Sequence, residues 1–288
     1  MSVTDDPGAV ALNRVRWLGS ATAQPKPGAT HHRSPLLRAR VDRFVRSAPP
    51  VSPMASSWPE HPEVIERYLR FMGAQPTDRG CDLRVRFAGS FFKSGLGWMP
   101  ASAWQFDSAV PIERRFVMRI RFGRVLPMVA VDTYREGRGE MRGTLLKKQV
   151  AHAVGAELDL GELVTWLNDA VLLAPAQLFD AGVELVELDG QHFQATVTDG
   201  DVRASAVVEI DDDGSPVVFS TTDRFADLPS GPVRAEWRTP VRAWGRTATR
   251  RAVPVAASGV WSLPDGPLTY VRGGFDPTTF EVRPPCPR

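Results

Sequence analysis

A mainly β (α+β) fold is expected: a curved antiparallel sheet or half-barrel of roughly ten or more strands wrapped about a central amphipathic helix. Three observations lead there. Beyond residue 73 apolar residues recur with period two, as in half-buried strands. Four Asp-Gly pairs, Asp189-Gly190, Asp199-Gly200, Asp213-Gly214 and Asp265-Gly266, sit between such runs, and Asp-Gly supplies the positive φ that tight hairpins need. A long helical pattern between residues 156 and 173 interrupts the strands. Hairpins following one another mark a meander, not a βαβ sheet.

Residues 1–33 are rich in Pro, Gly, Ala, Ser and Thr, lack periodicity and read as mobile. SPLLRARVDRFVRS, Ser34 to Ser47, reads as a short basic amphipathic helix. Ser34 serves as N-cap, Pro35 as first helical residue, and Leu37, Val41, Phe44 and Val45 as one face. Such a helix either makes weak contact with an anionic membrane surface or a protein partner, or docks on its own domain. Ala48 to Pro59 is a Pro/Ser linker. The expected organisation is thus a basic arm over residues 1–58 and one half-barrel domain over 59–288.

Within that domain, HPEVIERYLRFMG reads as a helix with Val64, Ile65, Tyr68 and Phe71 on one side and Gly73 as its stop. DLRVRFAG then alternates through Leu83, Val85 and Phe87. RRFVMRIRF places Phe116, Met118, Ile120 and Phe122 on one face, with Arg115, Val117, Arg119 and Arg121 on the other. DVRASAVVEI repeats the pattern from Val202 to Ile210. In AELDLGELVTWLNDAVLL, Asp159 reads as the N-cap and Glu162 as its capping-box partner. Leu160, Leu163, Val164, Leu167, Val171 and Leu172 form the apolar stripe, and Pro175 ends the helix.

Composition narrows the function. The 288 residues carry a net charge of +2, with 43% hydrophobic and 24% charged residues, which speaks against nucleic-acid binding by the whole molecule. The charge is uneven: the first fifty residues are +5 and the remainder −3. Cys81 and Cys286 are far apart and read as two free thiols of a reducing compartment; the alternative, a pair, needs a fold that brings the chain end to the first strand. No secretory signal or membrane-spanning apolar run is legible, and a cytoplasmic address is expected.

Motif chemistry is sparse. VDTYREGRGEMRGTLLKK, Val131 to Lys148, looks like a phosphate loop, but Gly137, Gly139 and Gly143 are spaced one residue too far apart for a dinucleotide fingerprint. No lysine follows Gly143 as a Walker loop requires. A hairpin or bulge explains these glycines better. Glu209, Asp211, Asp213 and Gly214 resemble the start of a calcium loop, yet Ser220 stands where a bidentate Glu is needed. Five histidines show no HExxH spacing, and no GxSxG is present. No metal or cofactor is therefore expected. Eight tryptophans remain, some of them candidates to line the cavity that a curved sheet leaves around one helix. Of the acids near that helix, Asp132 and Asp169 have no local structural duty.

From about His61 onward the chain resembles an uncharacterised bacterial family whose fold is similar to the lipoprotein carriers. The matching pieces, in order, are PEVIERYLRFMG, WMPASAWQF, VDTYREGRGEM, ELDLGELVTWLNDAVLLAPAQL and VWSLPDGPLTYVRG. The resemblance implies a half-barrel with helices across its concave side. It places Asp132 and Tyr134 at the head of the family's D-x-Y-x-x-G-x-G strand-turn, and Gln105, Glu162, Tyr270 and Arg272 at matching positions. The chain departs from the family's pattern at Thr165-Trp166-Leu167-Asn168-Asp169 and at Pro175-Ala176-Gln177-Leu178, which implies a changed ligand or a lost function.

The expected function is cofactor-free binding of an apolar or amphipathic small molecule. Trp104, Gln105, Tyr134, Glu162, Trp166, Trp261, Tyr270 and Arg272 are the candidate ligand-binding residues. The alternative is a cyclase- or isomerase-type enzyme acting on an apolar metabolite, with Asp132 or Asp169 as a buried acid or base. A third reading, an interaction protein, rests on the basic arm.

Overall fold

A computed structural model describes residues 57–284, except 94, 123–125 and 229–230. The arm up to residue 56, the helix expected over Ser34 to Ser47, and Cys286 with its pairing all lie outside the described residues. Trp58, expected in that arm, packs on Phe179 with ring centroids 4.9 Å apart.

The sheet curls strongly and is antiparallel throughout. Helix α1 (Glu63–Met72) precedes it and stops at Gly73, whose φ of 67° suits a residue without Cβ. Six strands then form a meander: β1 (Asp82–Lys93), β2 (Gly97–Ala109), β3 (Ile112–Phe122), β4 (Leu126–Arg135), β5 (Arg138–Leu145) and β6 (Lys148–Ala153). Helices α2 (Ala156–Leu173) and α3 (Ala176–Asp180) follow. The second meander comprises β7 (Glu184–Glu187), β8 (His192–Asp199), β9 (Val202–Ile210), β10 (Pro216–Thr221), β13 (Glu236–Arg246), β14 (Ala252–Leu263) and β15 (Gly266–Phe275). Between β10 and β13, β11 (Phe225–Leu228) and β12 (Gly231–Arg234) pair only with each other.

The strand order is β6-β5-β4-β3-β2-β1-β15-β14-β13-β10-β9-β8-β7. The first and last long strands join the two meanders, with Phe87 opposite Phe275 and Phe91 opposite Val271. β16 (Glu281–Arg283) pairs with the start of β1. The sheet's two ends, β6 and β7, are thus bridged in sequence by α2 and α3. All four Asp-Gly pairs fall between consecutive strands, as expected. The glycine-rich stretch is the β4–β5 hairpin: Glu136 and Gly137, at φ of 54° and 73°, make the turn. It is not a phosphate loop.

Helix α2 departs from expectation in two ways. It starts at Ala156 behind Gly155, whose φ of 128° favours glycine, so Asp159 and Glu162 form no capping box. Instead Asp159 accepts from the Gly139 backbone N–H at 2.7 Å and from Arg138 at 3.0 Å. Gly139 is required here: a Cβ would stand 2.5 Å from the Leu158 carbonyl oxygen, so only glycine lets helix and strand approach this closely. Moreover, thirteen of the eighteen residues of α2 are buried. The apolar stripe packs with α1 and β8–β10, where Leu163, Val164, Leu167 and Val171 share a core with Ile65, Tyr68, Phe193 and Phe219. Each such side chain stabilises the fold by about 1.5–3 kcal/mol. Tyr68 secures α1 to α2 by donating to the Val171 carbonyl at 2.6 Å.

Candidate functional site

The concave face of the sheet encloses a cavity of about 910 Å³. Strand register explains its walls. Going along β2–β5, every second cross-strand row faces inward. Asp107, Arg114, Tyr134 and Gly139 form one row, which abuts the first turns of α2. The next inward row, Gln105, Phe116, Asp132 and Met141, opens onto the cavity. Beyond it Met118, Ala130 and Gly143, then Ile120, Met128 and Leu145, complete an apolar wall. Opposite stand Trp237, Trp261, Leu268 and Tyr270.

The polar side of α2 does not face solvent. Glu162, Thr165, Asn168 and Asp169 line the cavity at helical spacing. Glu162 and Asp169 meet Arg114, whose side chain is only 6% exposed. Arg114 Nη1 donates to Glu162 at 2.8 Å, and its Nε donates to Asp169 Oδ2 at 2.8 Å. Gln105 Nε2 donates to the same Asp169 oxygen at 2.9 Å and to Asp107 at 2.6 Å. Two-point recognition of this kind suits the planar guanidinium.

Asp132 differs from Glu162 and Asp169, which accept from Arg114. It lines the cavity, yet its Oδ1 is buried without a hydrogen-bond partner among the described residues. Burial, then the charge of Glu162, push its pKa up to about 7, against the pull of Arg114 and Arg224. Burial also raises Asp107 well above the usual carboxylate range, with Asp169 adding to the effect. Asp169 is raised by burial, and Arg114 opposes the rise. Burial works against the charge of Arg114, but Asp169, Glu162 and Asp107 outweigh it and strengthen its hold on the proton. Among the described residues no group of three or more His, Cys, Asp or Glu could hold a metal ion.

Six of the ten candidate residues line this cavity: Gln105, Asp132, Glu162, Asp169, Trp261 and Tyr270. The other four do not. Tyr134 and Trp166 are fully buried in the main core, and Trp166 Nε1 donates to the Ser108 carbonyl at 2.9 Å. Trp104 and Arg272 fall on outward positions, because the register turns their neighbours Gln105, Val271 and Gly273 inward. Arg272 lies over the Trp98 ring at 3.6 Å. Tyr270 reaches the cavity as the extra residue of a bulge, where Gly259 pairs with Val271 but Val260 with Thr269.

Arg114, Arg224 and Trp237 escaped the reading of the sequence. For Arg114 a signal was present: it lies two residues before Phe116, in register with an otherwise apolar face. A charged residue at such a position is buried against partners that periodicity does not name.

A model of a family of unknown function, DUF6544, matches residues 52–273. The chain belongs to that family. The match takes in α2 and all but the end of β15, so the cavity's walls, Gly274 and Phe275 apart, belong to the matched part. Among solved structures, the chain is similar to a domain described as an outer membrane lipoprotein-sorting protein domain, from Vibrio parahaemolyticus. Identity is 9% over 76% of this chain and 89% of that one, with a TM-score of 0.39. No curated protein matches.

Proposed function

We propose that this chain binds an amphipathic small molecule in the concave cavity. The apolar part would lie along Phe87, Met118, Ile120 and Met128, and the polar end would meet the cluster around Arg114 and Asp132. One observation carries the reading: the volume of about 910 Å³ is graded, with a polar cluster at the α2 end and mostly apolar walls beyond it, Lys93 excepted. Ligand pockets of about 300–1,000 Å³ are built in this way, a mostly apolar lining with few oriented polar groups.

Native mass spectrometry of the purified full chain tests it, together with titration by an apolar fluorescent probe. A co-purifying organic mass, and probe binding lost when Ala130→Phe fills the apolar wall, are the expected results. An empty protein that binds no apolar probe would overturn the reading.

A second reading, a cyclase- or isomerase-type reaction on an apolar metabolite, draws support from Asp132 alone. Its carboxyl titrates near neutrality, as an acid-base group requires, and one of its oxygens is unengaged. Asp169 lends no support, since Gln105 and Arg114 already occupy its Oδ2. Conversion of a bound ligand by the wild type and not by Asp132→Asn would favour this reading; unchanged ligand in both would exclude it.

A further inference from the structure

Two arginines line the cavity, and they are held differently. Arg114 is engaged through Nε and both terminal nitrogens. Arg224 stands where the chain leaves the main sheet for β11, and its carbonyl accepts from the Ala235 N–H at 3.2 Å. Its guanidinium carbon lies over tryptophan, 4.3 Å from the Trp237 ring centroid and 5.7 Å from that of Trp261. These tryptophans are cross-strand partners on β13 and β14, and Trp237 Nε1 donates to the Tyr270 hydroxyl at 3.1 Å. The platform under Arg224 is therefore rigid.

Stacking uses the face of a guanidinium and leaves its N–H edge free. Arg224 makes no side-chain hydrogen bond or ion pair with a described residue. Asp132 lines the same cavity and has an oxygen without a hydrogen-bond partner among the described residues. The cavity thus offers one donor fork without a hydrogen-bond partner among the described residues and one unengaged carboxyl oxygen.

We infer that Arg224, on its Trp237–Trp261 platform, anchors the single carboxylate of an amphipathic ligand. This rests on the binding reading above and names the ligand's class. A cationic head would face Arg224 directly. A neutral head would leave a charged fork unpaired beside apolar walls, a costly arrangement. A doubly charged phosphate would meet Asp132, Glu162 and Asp169, which line the same cavity. A monoanion is the charge that fits between these limits, and Asp132 in its protonated form can donate to the anchored carboxylate.

The test uses probes with one common tail: dodecanoate, dodecyl phosphate and dodecanol, titrated into the full chain by calorimetry. Dodecanoate is expected to bind about tenfold tighter than dodecanol, as a charge-assisted pair implies. Arg224→Met, which keeps an apolar stem on the platform, should remove that preference and leave dodecanol binding within about twofold. Arg224→Lys should keep part of it, since charge remains but the fork is lost. Thermal melting of both variants establishes that they fold, and the lysine variant alone suffices if the methionine variant does not. Equal binding of dodecanoate and dodecanol, a preference that survives at Arg224→Met, or tightest binding by dodecyl phosphate would each overturn the anchor while the cavity reading stands. Failure of all three probes to bind would overturn the cavity reading as well.

Discussion

Replacing Arg114 by methionine removes the positive charge around which the acids of the α2 end are arranged. The guanidinium and its partners are 6–7% exposed, so solvent does little to screen the loss. Glu162 and Asp169 each lose an ion pair at 2.8 Å, while Asp107 and Asp132 lose an opposing charge. Removing one partner of a buried ion pair costs about 3–5 kcal/mol, mostly because the other charge is left uncompensated. The acids respond by holding protons more tightly. A carboxyl whose native pKa exceeds its unfolded value contributes stability below the unfolded value, and that contribution is lost as pH rises through the native one. Asp132 already stands at about 7 with Arg114 present. The penalty of Arg114→Met should therefore be largest at about pH 8 and partly relieved at about pH 5, between the unfolded and native values. Urea unfolding followed by tryptophan fluorescence at both pH values measures it. A penalty under about 1 kcal/mol, or one greater at the acid pH, would refute the account of this cluster as a buried, charge-compensated network.

Asp132→Asn should stabilise the protein above neutral pH, on the order of 1–2 kcal/mol, because it removes a carboxyl that burial penalises when charged; the gain should vanish by about pH 2, where that carboxyl is neutral in both states. Gly139→Ala should cost about 1–3 kcal/mol, read as a lowered melting temperature, because the new Cβ meets backbone of α2 that cannot swing away. Tyr270→Phe should cost about 0.5–1.5 kcal/mol by losing the acceptor for Trp237 Nε1, and should also weaken probe binding by loosening the platform under Arg224.

Much of the architecture was legible because it depends on local chemistry. Period-two runs such as Phe116, Met118 and Ile120 became concave faces, and each Asp-Gly pair became a hairpin connection. Gly73 ended its helix because positive φ is cheap only there. The candidate site was legible in part. Gln105, Glu162 and Asp169 are each legible singly, but Arg114 meets Glu162 and Asp169 across 48 and 55 residues of chain, and Gln105 meets Asp169 across 64, with no short-range trace. Trp104 and Trp166 read as equally good lining residues. Strand parity sends the first outward, and the packed side of α2 takes the second into the core. Asp159 read as a cap since its spacing to Glu162 fits one, but its oxygens instead hold Gly139 and Arg138 of a neighbouring strand.

By itself, the sequence determined which segments are strands, where they turn, and that one long helix divides them, because alternation, turn residues and helical spacing act within a few residues. Tertiary structure alone decided that β1 and β15 close the two meanders into one curl, that the polar side of α2 faces a cavity instead of water, and that Arg114 meets carboxylates while Arg224 stacks on tryptophan. Those outcomes depend on burial and on partners distant along the chain, and both exist only once the sheet has curled around the helix.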